Sequence, residues 1–416
     1  MVDDPAAGDT ALHPAPAEGP EVTVPNEKFR SLLRMVMEEG GFAFVSSAEL
    51  ASAGDLRAAE AAREMAWEQL HSGPWHEVLP VWRDAYGMAC LYVASIRAGS
   101  GELREALRAL DLGLVMGGPL LRSDLDAFVK KVAAWIAAET AGSGSRDDST
   151  EYGLESLKNT NSELLHFLPS RSLSCKVVEK RTSPTLETFV RDYFLCRSPV
   201  IISGYIDHWP ARIKWKDIGY LKRIAGDRTV PVEVGRNYLA LDWKQELITF
   251  SQFLERIKSN DKHANLTYLA QHPLFDQIEE LRNDIMIPDY CYAGGGELQS
   301  LNAWFGPTGT VTPLHHDPLH NMFAQVVGKK YVRLYPPSAS QNLYPHSESM
   351  LRNSSQVDLD NFNEIQFPRA VDLDFMDCIL DEGELLYIPP KWWHYVKSLS
   401  TSFSVSFWWK AADPFS

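Results

Sequence analysis

The sequence predicts an α+β chain, with an N-terminal all-helical domain followed by a β-rich domain of jelly-roll type. Three observations carry this reading. Ala-, Glu- and Arg-rich stretches with helically spaced apolar residues fill the first third of the chain. A Gly142-Ser143-Gly144-Ser145 run then breaks the pattern. Beyond it, short β-branched and aromatic segments recur between turn signals. With 416 residues, 45% of them hydrophobic, the chain has material for the cores of two or three domains.

Residues 1–26 are rich in Ala, Pro, Gly and acidic groups and are expected to be disordered. A helical domain is expected over residues 27–140. Ala51–Leu70 reads as one helix, stopped by Ser72-Gly73-Pro74. Trp75–Ala98 reads as the next, with Val78, Leu79, Trp82, Tyr86, Cys90 and Val93 near helical spacing. Glu102–Gly117 and Ser123–Ala138 read as two more. Paired helices with short Gly turns suggest a tetratricopeptide-type array that binds a protein partner, although no clean repeat signature is present. The other reading is a helical cap packed on the second domain.

A linker is expected over residues 141–172 and the β-rich domain over 173–416, with its core at about 265–416. Strands are expected at Val200–Ser203, Val230–Val234, Thr267–Ala270, Leu301–Phe305, Met322–Val327, Lys330–Tyr335, Leu385–Ile388 and Ser402–Trp408. The last alternates: Phe403, Val405 and Phe407 lie on one face, Ser402, Ser404, Ser406 and Trp408 on the other. The small polar face suits either a roomy interior or solvent.

The formal net charge is −15. Direct nucleic-acid binding is not expected of such a chain, whereas basic peptides would be attracted; solubility alone is the plainer explanation. Five unclustered cysteines (Cys90, Cys175, Cys196, Cys291, Cys378) read as free thiols of a reducing compartment. No apolar run of about 18 residues marks a membrane span, and the acidic start lacks a signal-peptide pattern. The expected address is nuclear or cytosolic.

The most informative motif is His315-His316-Asp317 with the remote His394. Residues two apart on a strand share a face, so His315 and Asp317 point one way and His316 the other. Two imidazoles and one carboxylate are the facial triad of non-haem Fe(II), which leaves the opposite face open for a co-substrate and O2. A lone His-x-Asp is weak evidence, and zinc would accept the same donors. Lys330 favours iron. It shares strand parity with Val332 and Leu334, and an inward lysine among apolar residues needs an anionic partner. The far carboxylate of a dicarboxylic co-substrate would serve, with Thr312, Tyr268 and Asn321 as further hydrogen-bonding groups. Taken alone, Lys330 would read as a snorkelling surface lysine.

Longer motifs now matter. Asn302-Ala303-Trp304-Phe305-Gly306-Pro307, Thr312-Pro313-Leu314-His315-His316-Asp317-Pro318, Gly328-Lys329-Lys330-Tyr331, Ile388-Pro389-Pro390-Lys391-Trp392-Trp393-His394 and Ser404-Val405-Ser406-Phe407-Trp408-Trp409 resemble the JmjC-domain oxygenases. The resemblance covers roughly residues 30 to 416. It implies a double-stranded β-helix of the cupin or jelly-roll class that uses Fe(II), 2-oxoglutarate and O2. It matches His315, Asp317 and His394 to the catalytic metal ligands, and Tyr268, Thr312, Asn321, Lys330 and Trp408 to the 2-oxoglutarate contacts. Thr312 stands where animal members carry Ser, and the hydroxyl is kept. Glu233 and Trp243 match positions that hold a substrate arginine; without the resemblance they read as a solvated strand residue and a core residue.

Two activities come with the resemblance. One is demethylation of methyl-lysine, with histone H3 as substrate and chromatin, transcription and biological rhythms as the setting. The other is arginyl C-hydroxylation of a protein substrate. A carboxylate suits a guanidinium better than a trimethylammonium, which has no N–H to donate. The expected partner is therefore a basic protein, either a histone tail or an arginine-containing protein, in the nucleus and the cytoplasm. A catalytically silent scaffold is the third reading, and the intact triad with Lys330 speaks against it.

Overall fold

A computed structural model describes residues 27–142, 168–173, 176–259, 266–348 and 350–412. The expected disordered segment and residues 143–167 of the expected linker lie outside the described residues. Two compact units divide the chain, residues 1–145 and 146–416.

The first unit contains α1 (Glu27–Glu38), α2 (Phe42–Ser52), α3 (Leu56–Leu70), α4 (Pro80–Gly99), α5 (Leu103–Met116) and α6 (Arg122–Gly142). The helix expected over Ala51–Leu70 is in fact two. Gly54 takes φ +97°, and the Asp55 carboxylate accepts from the N–H groups of Arg57 (2.9 Å) and Ala58 (3.1 Å), capping α3. The helix expected over Trp75–Ala98 likewise begins later. Trp75–Glu77 is a single tight turn and Pro80 opens α4, where its missing N–H costs nothing. Leu79, placed by spacing on the apolar face, therefore precedes the helix and is exposed. Every residue from Ala85 to Ala94 is buried, so α4 is buried around its circumference and forms the centre of the unit. Turn glycines set the close approaches: a Cβ on Gly118 would meet Asp84 Oδ1 at 2.1 Å, the oxygen that accepts from Leu120 N–H. No helix among the described residues is long and apolar enough to cross a membrane.

The second unit is built on two sheets. The smaller has the order β1 (Lys176–Val177), β11 (Met376–Leu380), β10 (Lys330–Tyr335), β13 (Trp393–Ser398), β8 (Val311–His316). The larger runs β2 (Lys180–Thr182), β3 (Val200–Ser203), β12 (Glu384–Ile388), β9 (His320–Val327), β14 (Ser402–Lys410), β7 (Glu297–Gly306), β6 (Thr267–His272), β4 (Thr229–Val234), β5 (Lys244–Thr249). Consecutive strands alternate between the sheets through β7–β10 and again through β11–β14, so sequence-distant strands become neighbours, as in a double-stranded β-helix. Tyr268, Trp304, Phe323, Val332, Leu334, Leu386 and Val396 pack between them. Helical segments Ile218–Ala225 and Phe250–Ser259 cover the outer face of the larger sheet, where Trp215 stacks on Phe403 and Phe403 on Phe305, at 4.2 and 4.5 Å between centroids.

The ambiguous face of β14 is therefore internal. Phe403, Val405 and Phe407 meet the covering helices, while Ser402, Ser404 and Ser406 are fully buried and hydrogen-bonded: Ser404 donates to Gln325 Oε1 at 2.7 Å, and Ser406 accepts from Trp304 Nε1 at 2.9 Å. On β10, Lys330, Val332 and Leu334 point between the sheets, and Tyr331 and Tyr335 pack on the outer side. Strands β1, β2, β5, β11 and β13 are not among those expected from the sequence. The first two are very short, and β5 (KQELIT) is a half-exposed edge without apolar alternation. Residues 168–172 lie in the expected linker but belong to this unit. Buried Arg333 donates to Ser170 O (2.8 Å) and Ser172 Oγ (2.9 Å), and Leu168 packs on the outer cluster.

Candidate active site

β8 and β13 pair antiparallel with His315 opposite His394, and Asp317 follows the end of β8. The register brings one donor atom from each of these residues within 4.8 Å of the others. His394 Nε2 and His315 Nε2 stand 3.5 and 3.9 Å from Asp317 Oδ2. Each imidazole is oriented from behind: His315 Nδ1 lies 2.8 Å from Pro313 O, and His394 Nδ1 lies 3.0 Å from Trp392 O. Donation from Nδ1 to a carbonyl fixes the tautomer with a free lone pair on Nε2, which is what a metal needs. Burial raises the Asp317 carboxyl above the usual carboxylate range and holds the His394 imidazole well below its usual value. Asp317 Oδ2 is buried without a hydrogen-bond partner. His316 turns away and meets Trp393 edge to face at 4.6 Å.

Behind these residues a small pocket is lined by Tyr268, Thr312, Asn321, Phe323 and Trp408 together with His315, Asp317 and His394. Asn321 pairs with Trp408 of β14 on one side and Ile388 of β12 on the other. Asn321 Oδ1 and Trp408 Nε1 are both buried without partners. Lys330 is 1% exposed and donates to Tyr268 Oη at 3.1 Å; no carboxylate among the described residues pairs with it, and burial pushes its pKa down to about 7. Burial raises the Tyr268 phenol, with the Thr312 hydroxyl beside it pulling the other way. A buried cation held against the pocket's Tyr268 and Phe323, with unpartnered polar atoms on the pocket wall, fits a dicarboxylate that also reaches a metal at the triad.

Outward from the pocket opens a cleft of about 450 Å³. Glu233, Tyr238, Thr312, His315, Asp317 and Ser354 are among its walls. Glu233 pairs with Tyr268 across β4 and β6, so the substrate-side carboxylate and the pocket tyrosine sit on one sheet. Burial raises the Glu233 carboxyl; the Trp243 indole favours its ionised form but stands outside hydrogen-bond geometry, and its nitrogen is buried without a partner. Trp243 itself does not line the cleft. Tyr238 and Ser354 carried no sequence signal. Their hydroxyls meet at 3.0 Å and join the β4–β5 loop to the long β10–β11 segment. Neither residue belongs to a periodic stretch, so only the fold reveals them.

Residues 185–414 match the cupin-like domain model, and residues 22–146 match the model described as KDM8-like, N-terminal ARM repeats. The chain is 61% identical to "Lysine-specific demethylase JMJ30" of Arabidopsis thaliana, over 91% of this chain and 92% of that protein. It is 39% identical to "Lysine-specific demethylase 8" of Xenopus tropicalis (83% and 86% covered) and 35% identical to "Jumonji C domain-containing protein 5" of Drosophila melanogaster (87% and 90%). The chain belongs to the JmjC-domain family of lysine demethylase eight. It is thus an Fe(II)- and 2-oxoglutarate-dependent oxygenase whose co-substrate is O2, with a metal-binding group at His315, Asp317 and His394. The helical unit is accordingly armadillo-type rather than tetratricopeptide-type.

Proposed function

We propose that this JmjC oxygenase demethylates methyl-lysine on a basic protein, a histone tail such as that of H3, in the nucleus and also in the cytoplasm. The observation that carries this is the near full-length match to proteins named lysine-specific demethylases, joined to the His315–Asp317–His394 group. The reading assigns those three residues as the metal ligands, Lys330, Tyr268, Thr312, Asn321 and Trp408 as the co-substrate contacts, and Glu233 as a substrate contact with Trp243 beside its carboxyl.

When bound, iron with 2-oxoglutarate and O2 supplies the C–H oxidation, converting 2-oxoglutarate to succinate and CO2. The chain's own residues position and exclude. Lys330 is held by burial and by Tyr268, and meets the far carboxylate. Asn321 and Trp408 offer unpartnered atoms to the same ligand. Walls of Phe323, Ile388 and Val396 keep the pocket dry, which strengthens each polar contact. The overall negative charge attracts a basic tail. Hydroxylation of an N-methyl carbon gives an unstable hemiaminal that releases formaldehyde.

One observation favours a second reading, arginyl hydroxylation: Glu233 presents a half-buried carboxylate on the wall of the same cleft. A guanidinium can donate two hydrogen bonds to it; a fully methylated ammonium can donate none. Chromatin and transcription are the setting of the first reading, and the helical unit is its proposed partner-binding surface. The test is stoichiometry on methyl-lysine peptides. Formaldehyde equal to peptide-dependent succinate supports demethylation; succinate without formaldehyde rejects it.

A further inference from the structure

A second cleft, of about 340 Å³, opens beside the catalytic one. Val311 lines both, and the walls diverge at adjacent residues: Tyr238 and Ser354 face the catalytic cleft, Asn237 and Ser355 the second. Its floor is apolar and firmly packed, with Val311, Leu314, Val357, Leu359 and Phe367 all part of one buried cluster. Its rim is polar and fixed. Arg236 bonds Asp358 at 2.5 Å, and Asp358 Oδ1 accepts from Asp360 N–H (3.0 Å) and Asn361 N–H (3.4 Å). An apolar floor inside a polar rim is the pattern of a side-chain pocket, and the volume lies at the small end of the roughly 300–1,000 Å³ typical of ligand sites. Two large apolar residues stand fully exposed beside it: Leu241 follows Ala240 of the lining, and Ile365 precedes Gln366. Met350, 68% exposed, lines the catalytic cleft. Exposed apolar groups gathered around a continuous pair of clefts mark a surface that a polypeptide covers.

We propose that this second cleft binds one large apolar side chain of the protein substrate, at a fixed distance from the residue that enters the catalytic cleft. The inference rests on the reading of the protein as an oxygenase of polypeptide substrates. Continuity through Val311 makes the two clefts neighbours, so one extended peptide, advancing about 3.3 Å per residue, can place a nearby side chain in the second while the modified residue occupies the first. Recognition then joins a cation in the catalytic cleft to a neighbouring Leu, Ile, Met or Phe in the sequence.

A pool of synthetic peptides tests this. The central residue is methyl-lysine or arginine and the flanking positions are randomised. The pool is captured on the full chain loaded with Mn(II) and 2-oxoglutarate. The expected result is enrichment of large apolar residues at one fixed offset from the centre. That enrichment falls at least tenfold in Ala240→Trp, which fills the cleft. It also weakens severalfold in the surface variant Leu241→Glu/Ile365→Glu, which keeps the test valid if Ala240→Trp fails to fold. Capture that depends on the central residue without any apolar offset overturns the inference and leaves the functional reading standing. An offset preference that survives both variants overturns it as well. Capture indifferent to the central residue instead removes the functional reading, and the inference with it.

Discussion

Replacing Lys330 by Met should stabilise the ligand-free protein while weakening 2-oxoglutarate binding. Lys330 is fully buried, and its pKa falls from 10.5 to about 7 through desolvation. The folded state thus binds fewer protons than the unfolded state between about pH 7 and 10.5, so in that window the lysine makes stability rise with pH. At pH 7 the deficit is about 4 kcal/mol, taking roughly 1.4 kcal/mol per pKa unit. Met has similar length and no charge, so Lys330→Met should raise the melting temperature of the second unit by about 8 °C, at roughly 2 °C per kcal/mol. It should also flatten the rise in stability between pH 7 and 10. In the same variant 2-oxoglutarate binding should weaken by about 2–5 kcal/mol, the usual cost of deleting one side of a buried charged pair. Differential scanning fluorimetry with and without 2-oxoglutarate reads both effects. A lower melting temperature with unchanged 2-oxoglutarate affinity would refute the reasoning.

Other predictions follow from the same geometry. Wild-type affinity for 2-oxoglutarate should be level below about pH 7, where Lys330 is already charged, and should fall up to about tenfold per pH unit above it; calorimetry across that range checks the sign. His315→Ala, Asp317→Ala and His394→Ala should each lose Fe(II) binding and succinate formation, and wild-type metal affinity in any one removes that residue from the ligand set. Glu233→Ala should raise the KM for an arginine peptide at least tenfold while peptide-independent 2-oxoglutarate decay persists; an unchanged KM removes Glu233 from substrate recognition. Gly328→Ala should destabilise the fold by about 2 kcal/mol or more: Gly328 turns β9 into β10 at φ +79°, and a Cβ there would meet Thr401 O at 2.1 Å, which chemical denaturation would detect.

The metal group was legible because strand parity and one remote histidine suffice to propose it, and the register of β8 against β13 sets His315 opposite His394. Lys330 was legible only from parity joined to the metal motif: Val332 and Leu334 share its face, and without the triad it would read as a surface lysine. The serines of β14 were not: alternation cannot tell an interior with polar partners from solvent, and only Trp304 and Gln325 decide it. In the helical unit the break at Ala53-Gly54-Asp55 is hidden in the sequence because helix formers flank it on both sides, and the capping carboxylate rather than the composition marks it. The substrate side was least legible. Tyr238, Ser354 and the second cleft come from loops that meet only in the folded chain.

The central claim is tested most directly by one peptide that carries both a methyl-lysine and an arginine, incubated with the full chain, Fe(II), 2-oxoglutarate and O2, and weighed by mass spectrometry. Demethylation predicts loss of one methylene unit, mapped to the lysine, with formaldehyde released in equal amount. Gain of one oxygen on the arginine with no formaldehyde would contradict it.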